Sequence, residues 1–169
     1  MIESDLRFKR LAHGARLALP QFVLLCLLVL NIVALPFSFL EGGRPFFVLM
    51  ALYYWAIFRP TLVPPSLCFI VGLSMDVLLG MTLGVNALIL LVAQWLIREQ
   101  RRFLTGQTYL AVWAVFGFVA ALAFLMQWGL YSLSAMHVMD AAPALIGLGT
   151  TFLLFPFVTL LLIAVHRLL

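Results

Sequence analysis

One acidic residue, Asp76, lies inside an apolar stretch and is the first candidate for chemistry in this sequence. Six of the 169 residues are acidic, and the other five lie in tails or at the edges of apolar segments. A charged side chain in hydrocarbon costs about 3 kcal/mol or more unless it faces protein or trapped water. Asp76 is therefore either a titrating group on a transport path or the polar centre of a helix contact.

The glycines around Asp76 favour the helix contact. Gly72, Asp76 and Gly80 are spaced four residues apart, so on a helix they share one face. Small residues on such a face let a neighbouring backbone approach closely, as in the small-xxx-small packing of membrane helices. With Gly84 following at the same spacing, the sequence predicts a helix–helix seam built from Gly72, Asp76, Gly80 and Gly84.

The sequence lacks groups that hydrolysis and ion transport would each require. Residues 72–74 (Gly-Leu-Ser) resemble the start of a G-x-S-x-G nucleophile elbow, but Asp76 stands where the second glycine belongs. A serine nucleophile also needs a base, and the histidines lie in predicted tails or loops, at His13, His137 and His166. A proton relay usually needs several titratable groups, and Asp76 has no charged companion at mid-depth. We predict no catalytic residue.

The carboxylate of Asp76 needs a compensating partner, because near the C-terminus of a helix it faces the negative end of the helix dipole. The sequence offers two kinds of partner. Arg44 is expected at the same membrane face, where it would form an ion pair. The backbone, Asn86 or a water molecule would instead supply neutral hydrogen bonds. The sequence leaves both alternatives open.

The two cysteines carry no sign of metal or redox chemistry. Cys26 and Cys68 lie in different apolar segments, with neither a C-x-x-C motif nor metal-ligand spacing. Free cysteines commonly pack as small buried hydrophobic residues, which is the role we expect for both. The sequence thus predicts no metal site and no cofactor.

Composition assigns the chain to the membrane proteins. Hydrophobic residues make up 66% of the chain and charged residues 9%, whereas soluble domains carry about 25% charged residues. The net charge of +4 is small and scattered along the chain, which argues against nucleic-acid binding. We therefore predict an all-α integral membrane protein with a single transmembrane domain over residues 1–169.

Hydropathy and breaking residues divide the chain into a basic cytoplasmic tail over residues 1–16 and six apolar spans. The spans are predicted at about 17–39, 45–58, 62–79, 83–97, 108–133 and 144–165. The first span is too long for the apolar region of a signal peptide, so it is expected to be a retained helix. The second has only about 21 Å of helix, so it must thin the membrane or be screened by neighbours. Its aromatic end at 53–58, next to Arg59, is typical of an interfacial belt.

The distribution of cations predicts the orientation. With the N-terminus inside, six spans place nine of the ten Lys and Arg residues on the cytoplasmic side and leave only Arg44 outside. The positive-inside rule favours this arrangement, with both termini cytoplasmic. Arg98, Arg101 and Arg102, which follow the fourth span, are interpreted as topology anchors. These three arginines could also contact an acidic patch of a partner protein or anionic lipid.

Two stretches within residues 44–102 match the motifs of a known family. The first is Arg44-Pro45, which leads into a helix containing Leu49, Leu52, Tyr54 and Trp55. The second is a run with the pattern G-x-x-x-D-x-L-x-G-x-x-L-G-x-x-A-L, formed here by Gly72, Asp76, Leu78, Gly80, Leu83, Gly84, Ala87 and Leu88. In order and spacing these motifs resemble the MreD family, the rod shape-determining membrane proteins of bacteria.

The resemblance implies a non-enzymatic subunit of the cell-elongation machinery in the inner membrane. Members of the family partner MreC and through it act with MreB, with RodA and with a class B transpeptidase that builds peptidoglycan. The family is also similar in architecture to the substrate-binding S components of energy-coupling-factor vitamin transporters. A vitamin-binding S component is therefore the alternative function. The resemblance also allows the hypothesis that a small molecule or a lipid occupies a cavity of the protein.

Overall fold

The computed structural model describes residues 21–33 and 43–167. Within these ranges the chain is helical and has no strand, which confirms the prediction of an all-helical fold. The helices are α1 (Gln21–Ile32), α2 (Phe47–Phe58), α3 (Pro65–Leu78), α4 (Val85–Leu104), α5 (Tyr109–Ser134) and α6 (Ala142–Arg167). The tail predicted over 1–16 and both ends of the first predicted span lie outside the described residues.

Helix α2 is the centre of the bundle. Every one of its residues except Phe58 is buried, and it packs against both α4 and α6. Helices that are neighbours in the sequence also pack together: α3 against α4, α4 against α5, and α5 against α6. The short second apolar segment is thus screened by protein, which is one of the two alternatives that its length allowed.

The prediction of an interfacial belt over 53–58 is wrong for Tyr53, Tyr54 and Trp55, which are buried inside the protein, whereas Phe58 at the end of the cluster is exposed. The Tyr53 hydroxyl donates a hydrogen bond to the carbonyl of Val112, 2.7 Å away. The Trp55 ring stacks on the imidazole of His166, with 5.9 Å between the ring centroids. The sequence predicted His166 in a tail, but the residue belongs to helix α6. These rings fill the space between α2, α5 and α6.

The fourth helix is longer than the sequence predicted. Its expected end was residue 97, but α4 continues to Leu104. Arg98, Arg101 and Arg102 therefore lie on the last turns of the helix and not in a loop. Arginine, glutamine and glutamate are good helix formers, so charge alone does not end a helix that leaves the apolar region.

Two helices are long and apolar enough to cross a bilayer, α5 and α6. Each has 26 residues, which corresponds to about 39 Å of helix. Helices α1, α2 and α3 are apolar but shorter. Large apolar side chains cover the outer faces of α5 and α6, among them Phe118, Leu125, Leu153, Phe157 and Leu160, all at least 60% exposed. Such a surface is suited to lipid or to a protein partner.

The cysteines differ in environment. Cys68 is buried on α3, as expected, whereas Cys26 is exposed on α1, which corrects the expectation that both are buried. Within the described ranges, no group of three or more His, Cys, Asp or Glu side chains is arranged to hold a metal ion.

Candidate functional site

The turn between α3 and α4 brings the two helix ends together. Helix α3 ends at Leu78, and Gly80 follows in the left-handed conformation with φ of 63°. The Met81 amide donates to the carbonyl of Asp76 at 3.0 Å, and the Gly80 amide donates to the carbonyl of Val77 at 3.3 Å. This pair of bonds is the Schellman motif, which requires a left-handed residue and so favours glycine at position 80.

The side chain of Asp76 is fully buried and accepts hydrogen bonds from the start of α4. The backbone amide of Gly84 donates to Oδ2 at 2.8 Å. The backbone amide of Asn86 donates to Oδ1 at 3.1 Å, and the Asn86 side-chain amide donates to the same oxygen at 2.8 Å. A carboxylate at a helix N-terminus satisfies orphan amides and lies at the positive end of the dipole. Asp76 thus caps α4 from the neighbouring helix.

The partners of Asp76 are therefore backbone amides and Asn86, one of the two alternatives that the sequence left open. Arg44 is exposed and is not among the donors to the carboxylate. It instead lines a cavity of about 350 Å³ together with Asn31, Gln127 and Tyr131. The positive end of the α4 dipole compensates the negative charge of the Asp76 carboxylate, so that an arginine is not needed for this role.

Helix α5 extends the hydrogen-bond network around Asp76. The Asn86 side-chain amide also donates to the hydroxyl of Tyr131 at 3.2 Å. The Gln127 side-chain amide in turn donates to Oδ1 of Asn86 at 3.2 Å. Neither Tyr131 nor Gln127 was predicted as a partner from the sequence, although their i, i+4 spacing puts them on one face of α5. Asp76 and Asn86 thus connect the ends of three helices.

The seam between α3 and α4 depends on Gly72. A Cβ atom at this position would lie 2.3 Å from Cα of Ala87 and 2.6 Å from its backbone nitrogen. The buried residues of α3 are Cys68, Gly72, Met75 and Asp76, which form one helical face. Glycine at position 72 therefore allows the α4 backbone to approach α3 closely.

The predicted seam does not include Gly80 and Gly84. Helix α3 ends before either residue, so the spacing of four no longer keeps them on its face. A Cβ atom at Gly80 or Gly84 would meet nothing within 4 Å. Both have positive φ, 63° and 92°, so their role lies in the geometry of the turn and not in close packing.

The arginines of α4 have a role that the sequence did not reveal. Arg101 Nε donates to the carbonyl of Ile57 at 2.8 Å, and Arg98 Nη2 lies 3.4 Å from the carbonyl of Pro60. The last carbonyls of a helix lack intrahelical partners and lie at its negative dipole end. Arg101 therefore caps the C-terminal end of α2, and Arg98 contacts the turn that follows it. Arg102 is exposed, and its side chain bonds to none of the described residues.

Comparison with known proteins places the chain in a family. The family model described as rod shape-determining protein MreD matches residues 14–165. The chain belongs to the MreD family. It is 31% identical over 144 residues to a rod shape-determining protein MreD of Haemophilus influenzae, which covers 82% of this chain and 85% of that relative. No solved structure matches the chain.

The match to the MreD family confirms the resemblance found from residues 44–102 and extends it in both directions. It includes all three helices that meet at Asp76. In this member of the family, both carboxylate oxygens of Asp76 already accept hydrogen bonds from α4. The arrangement is suited to holding helices in place.

Arg101 and Arg102 provide a matched test of the α2 cap in this MreD-family protein. We expect Arg101→Ala to destabilise the protein by about 1.5 kcal/mol, because it removes a hydrogen bond between a charged group and a helix-end carbonyl. Arg102→Ala removes the same charge and is expected to change stability by less than about 0.5 kcal/mol. Thermal unfolding of both variants in one detergent measures the difference. Equal melting temperatures for the two variants would contradict the cap.

Proposed function

We propose that this chain is a non-enzymatic, multi-pass scaffold of the bacterial inner membrane that binds MreC. In this role it supports rod shape and lateral peptidoglycan synthesis, and it acts indirectly with MreB, RodA and a class B transpeptidase. The observation that carries the proposal is the family match over residues 14–165. Membership of a shape-determining family favours assembly over catalysis.

The geometry around Asp76 is consistent with a scaffold. Transport would require a carboxylate that gains and loses partners along a path, whereas this one is buried and accepts three hydrogen bonds from a single helix end. A clamp of this kind keeps α3, α4 and α5 in one arrangement. The rigid bundle then offers the exposed apolar faces of α5 and α6 to lipid and to a partner's membrane span.

The positions of the cations support the proposed topology of six spans with both termini cytoplasmic. Arg44 precedes the N-terminus of α2, whereas Arg98 and Arg101 bond to carbonyls at and beyond its C-terminal end. Twelve helical residues separate these ends by about 18 Å. The cation assigned to the outside therefore lies at the opposite end of α2 from those assigned to the cytoplasm, as the positive-inside rule requires.

The family match does not favour the alternative function, a vitamin-binding S component. The similarity in architecture to those components remains part of the proposal for the fold. If the bundle is built in that way, the cavity lined by Arg44 and Tyr131 would open toward the periplasm.

Capture of partners from the native membrane tests the scaffold. The tagged protein, solubilised in mild detergent, is expected to retain a single-span protein with a periplasmic body, together with cell-wall synthases. Asp76→Ala should reduce this capture, because it removes the acceptor that holds α3 to α4. Mass spectrometry identifies the proteins retained. Recovery of ATPase subunits with a long-helix coupling protein would overturn the proposal and favour the S component.

A further inference from the structure

A second cavity, of about 410 Å³, lies at the C-terminal end of α2. Its walls come from α2, from the end of α4 and the start of α5 with the turn between them, and from the C-terminal half of α6. Pockets that bind small molecules commonly have volumes of about 300–1,000 Å³. This cavity is therefore large enough for a ligand, and it is distinct from the one beside Arg44.

The inner wall of this cavity is apolar. Tyr53, Ile57 and Phe155 line it and are at most 1% exposed. Its buried hydroxyl groups already have partners, since Tyr53 donates to the Val112 carbonyl and Thr159 donates to the Phe155 carbonyl. A ligand in this part of the cavity would find no free donor. The inner wall therefore fits a hydrocarbon chain.

The mouth of the cavity is polar. Gln107 and Tyr109 line it and are exposed, and their side chains bond to none of the described residues. His166 also lines it, and its Nδ1 atom is buried without a hydrogen-bond partner in the described part of the chain. The ring of His166 is held by stacking on Trp55 and by edge contact with Tyr54. Nearly all buried polar atoms in proteins have a hydrogen-bond partner, so this ring nitrogen leaves one hydrogen bond unmade at this end of the cavity.

Cations surround the same end of the bundle. Arg101 bonds to the carbonyl of Ile57, which lines the cavity, and Arg167 follows His166 at the end of α6. Basic pockets between membrane helices on the cytoplasmic side bind anionic lipid head groups. The chemistry of this end therefore matches an amphiphile with an apolar tail and a negatively charged head.

We propose that this cavity holds one acyl chain of an anionic phospholipid, with the phosphate at the mouth beside His166 and Tyr109. An open apolar void inside a bilayer forfeits the dispersion contacts of its walls, and lipid tails are the apolar groups available to fill it. The inference rests on the membrane arrangement proposed above but not on the identity of the protein partner. It assigns the lipid a defined place between α2, α5 and α6.

Photolabelling of the unmodified protein tests the location. The protein is placed in nanodiscs of phosphatidylcholine that contain a small fraction of phosphatidylglycerol with a diazirine on its acyl chain. After irradiation, peptide mass spectrometry is expected to find crosslinks at cavity residues such as Leu104, Val112 and Ile163. Labelling confined to exposed outer positions, such as Leu125 and Leu153, would overturn the proposal.

A pair of substitutions on α6 tests occupancy. Ile163→Trp fills the cavity and should lower the phosphatidylglycerol retained through purification about fivefold or more, measured by native mass spectrometry. Leu160→Trp adds the same side chain at a position that is 66% exposed and should leave retention unchanged. Equal retention by both variants would contradict the site. If Ile163→Trp loses the lipid but still captures the protein partner, the lipid site is shown to be independent of the proposed scaffold function.

The head-group contact has its own variant. His166→Phe keeps an aromatic ring on Trp55 but removes both ring nitrogens. We expect the variant to lose its preference for phosphatidylglycerol over phosphatidylcholine while still binding a lipid chain. An unchanged preference would remove His166 from the site.

Discussion

Replacing Gly72 with alanine is expected to lower the free energy of unfolding by about 3 kcal/mol or more, the upper range for overpacking of a core. The added Cβ would lie 2.3 Å from Cα of Ala87, which is backbone and cannot move aside as a side chain can. Helices α3 and α4 would have to separate, and the bonds from Asn86 to Asp76 would lengthen with them. Thermal unfolding in detergent, followed by tryptophan fluorescence, measures the effect.

Two other glycines serve as controls for the Gly72 variant. Gly80→Ala adds no contact within 4 Å, but it places a residue with a Cβ atom at φ of 63°. This left-handed conformation costs about 1–2 kcal/mol for an L-residue. Gly149→Ala, in open space inside α6, is expected to be neutral or to stabilise the helix by up to about 1 kcal/mol. A Gly72→Ala protein that melts no lower than Gly80→Ala would refute the close approach of α3 and α4.

Replacing Asp76 with alanine is expected to cost about 3–5 kcal/mol, because it leaves three amide donors without an acceptor and each orphaned buried donor costs about 1–3 kcal/mol. The change leaves the amides of Gly84 and Asn86, and the Asn86 side-chain amide, without their acceptor. In cells the same variant should lose rod shape, because α4 would no longer be held to α3. Melting temperature, membrane abundance and cell morphology measure the two effects.

A double-mutant cycle tests whether Asp76 acts through Asn86. Once Asp76 is removed, Asn86→Ala should cost much less than it does in the wild-type protein, with a coupling free energy of about 1–3 kcal/mol. Asp76→Asn should be intermediate, because it keeps one acceptor oxygen but places an amide donor near the amide of Gly84. Additive effects of the two alanine substitutions would contradict the network. An Asp76→Ala protein that melts like the wild type and captures its partner equally well would remove Asp76 from its proposed role.

The cap on α4 explains why a carboxylate is tolerated inside an apolar bundle. Asp76 lies three residues before the C-cap of α3, where its own helix disfavours negative charge. The Schellman turn at Gly80 reverses the chain so that the N-terminus of α4 faces this carboxylate. The negative dipole end of α3 and the positive dipole end of α4 therefore meet at the Asp76 side chain. Asn86 also forms hydrogen bonds with Tyr131 and Gln127 of α5.

The sequence by itself determined the helical class, the apolar segments and the importance of Asp76. Each of these follows from local properties, because hydropathy is set by composition and a lone carboxylate in an apolar run must find hydrogen bonds. The motif around Asp76 also indicated the family. The sequence did not determine which donors Asp76 meets, since this depends on the left-handed turn at Gly80 and on where α4 begins.

Only the tertiary structure decided which apolar residues face protein. Tyr53 and Trp55 have the composition of an interfacial belt but lie in the core beside α6, and Arg101 caps α2 from a helix 44 residues later in the chain. Lipid tails are as apolar as a protein core, so hydropathy does not distinguish the buried α2 from the exposed faces of α5 and α6. That distinction comes from contacts between segments distant in sequence, which a linear pattern does not contain.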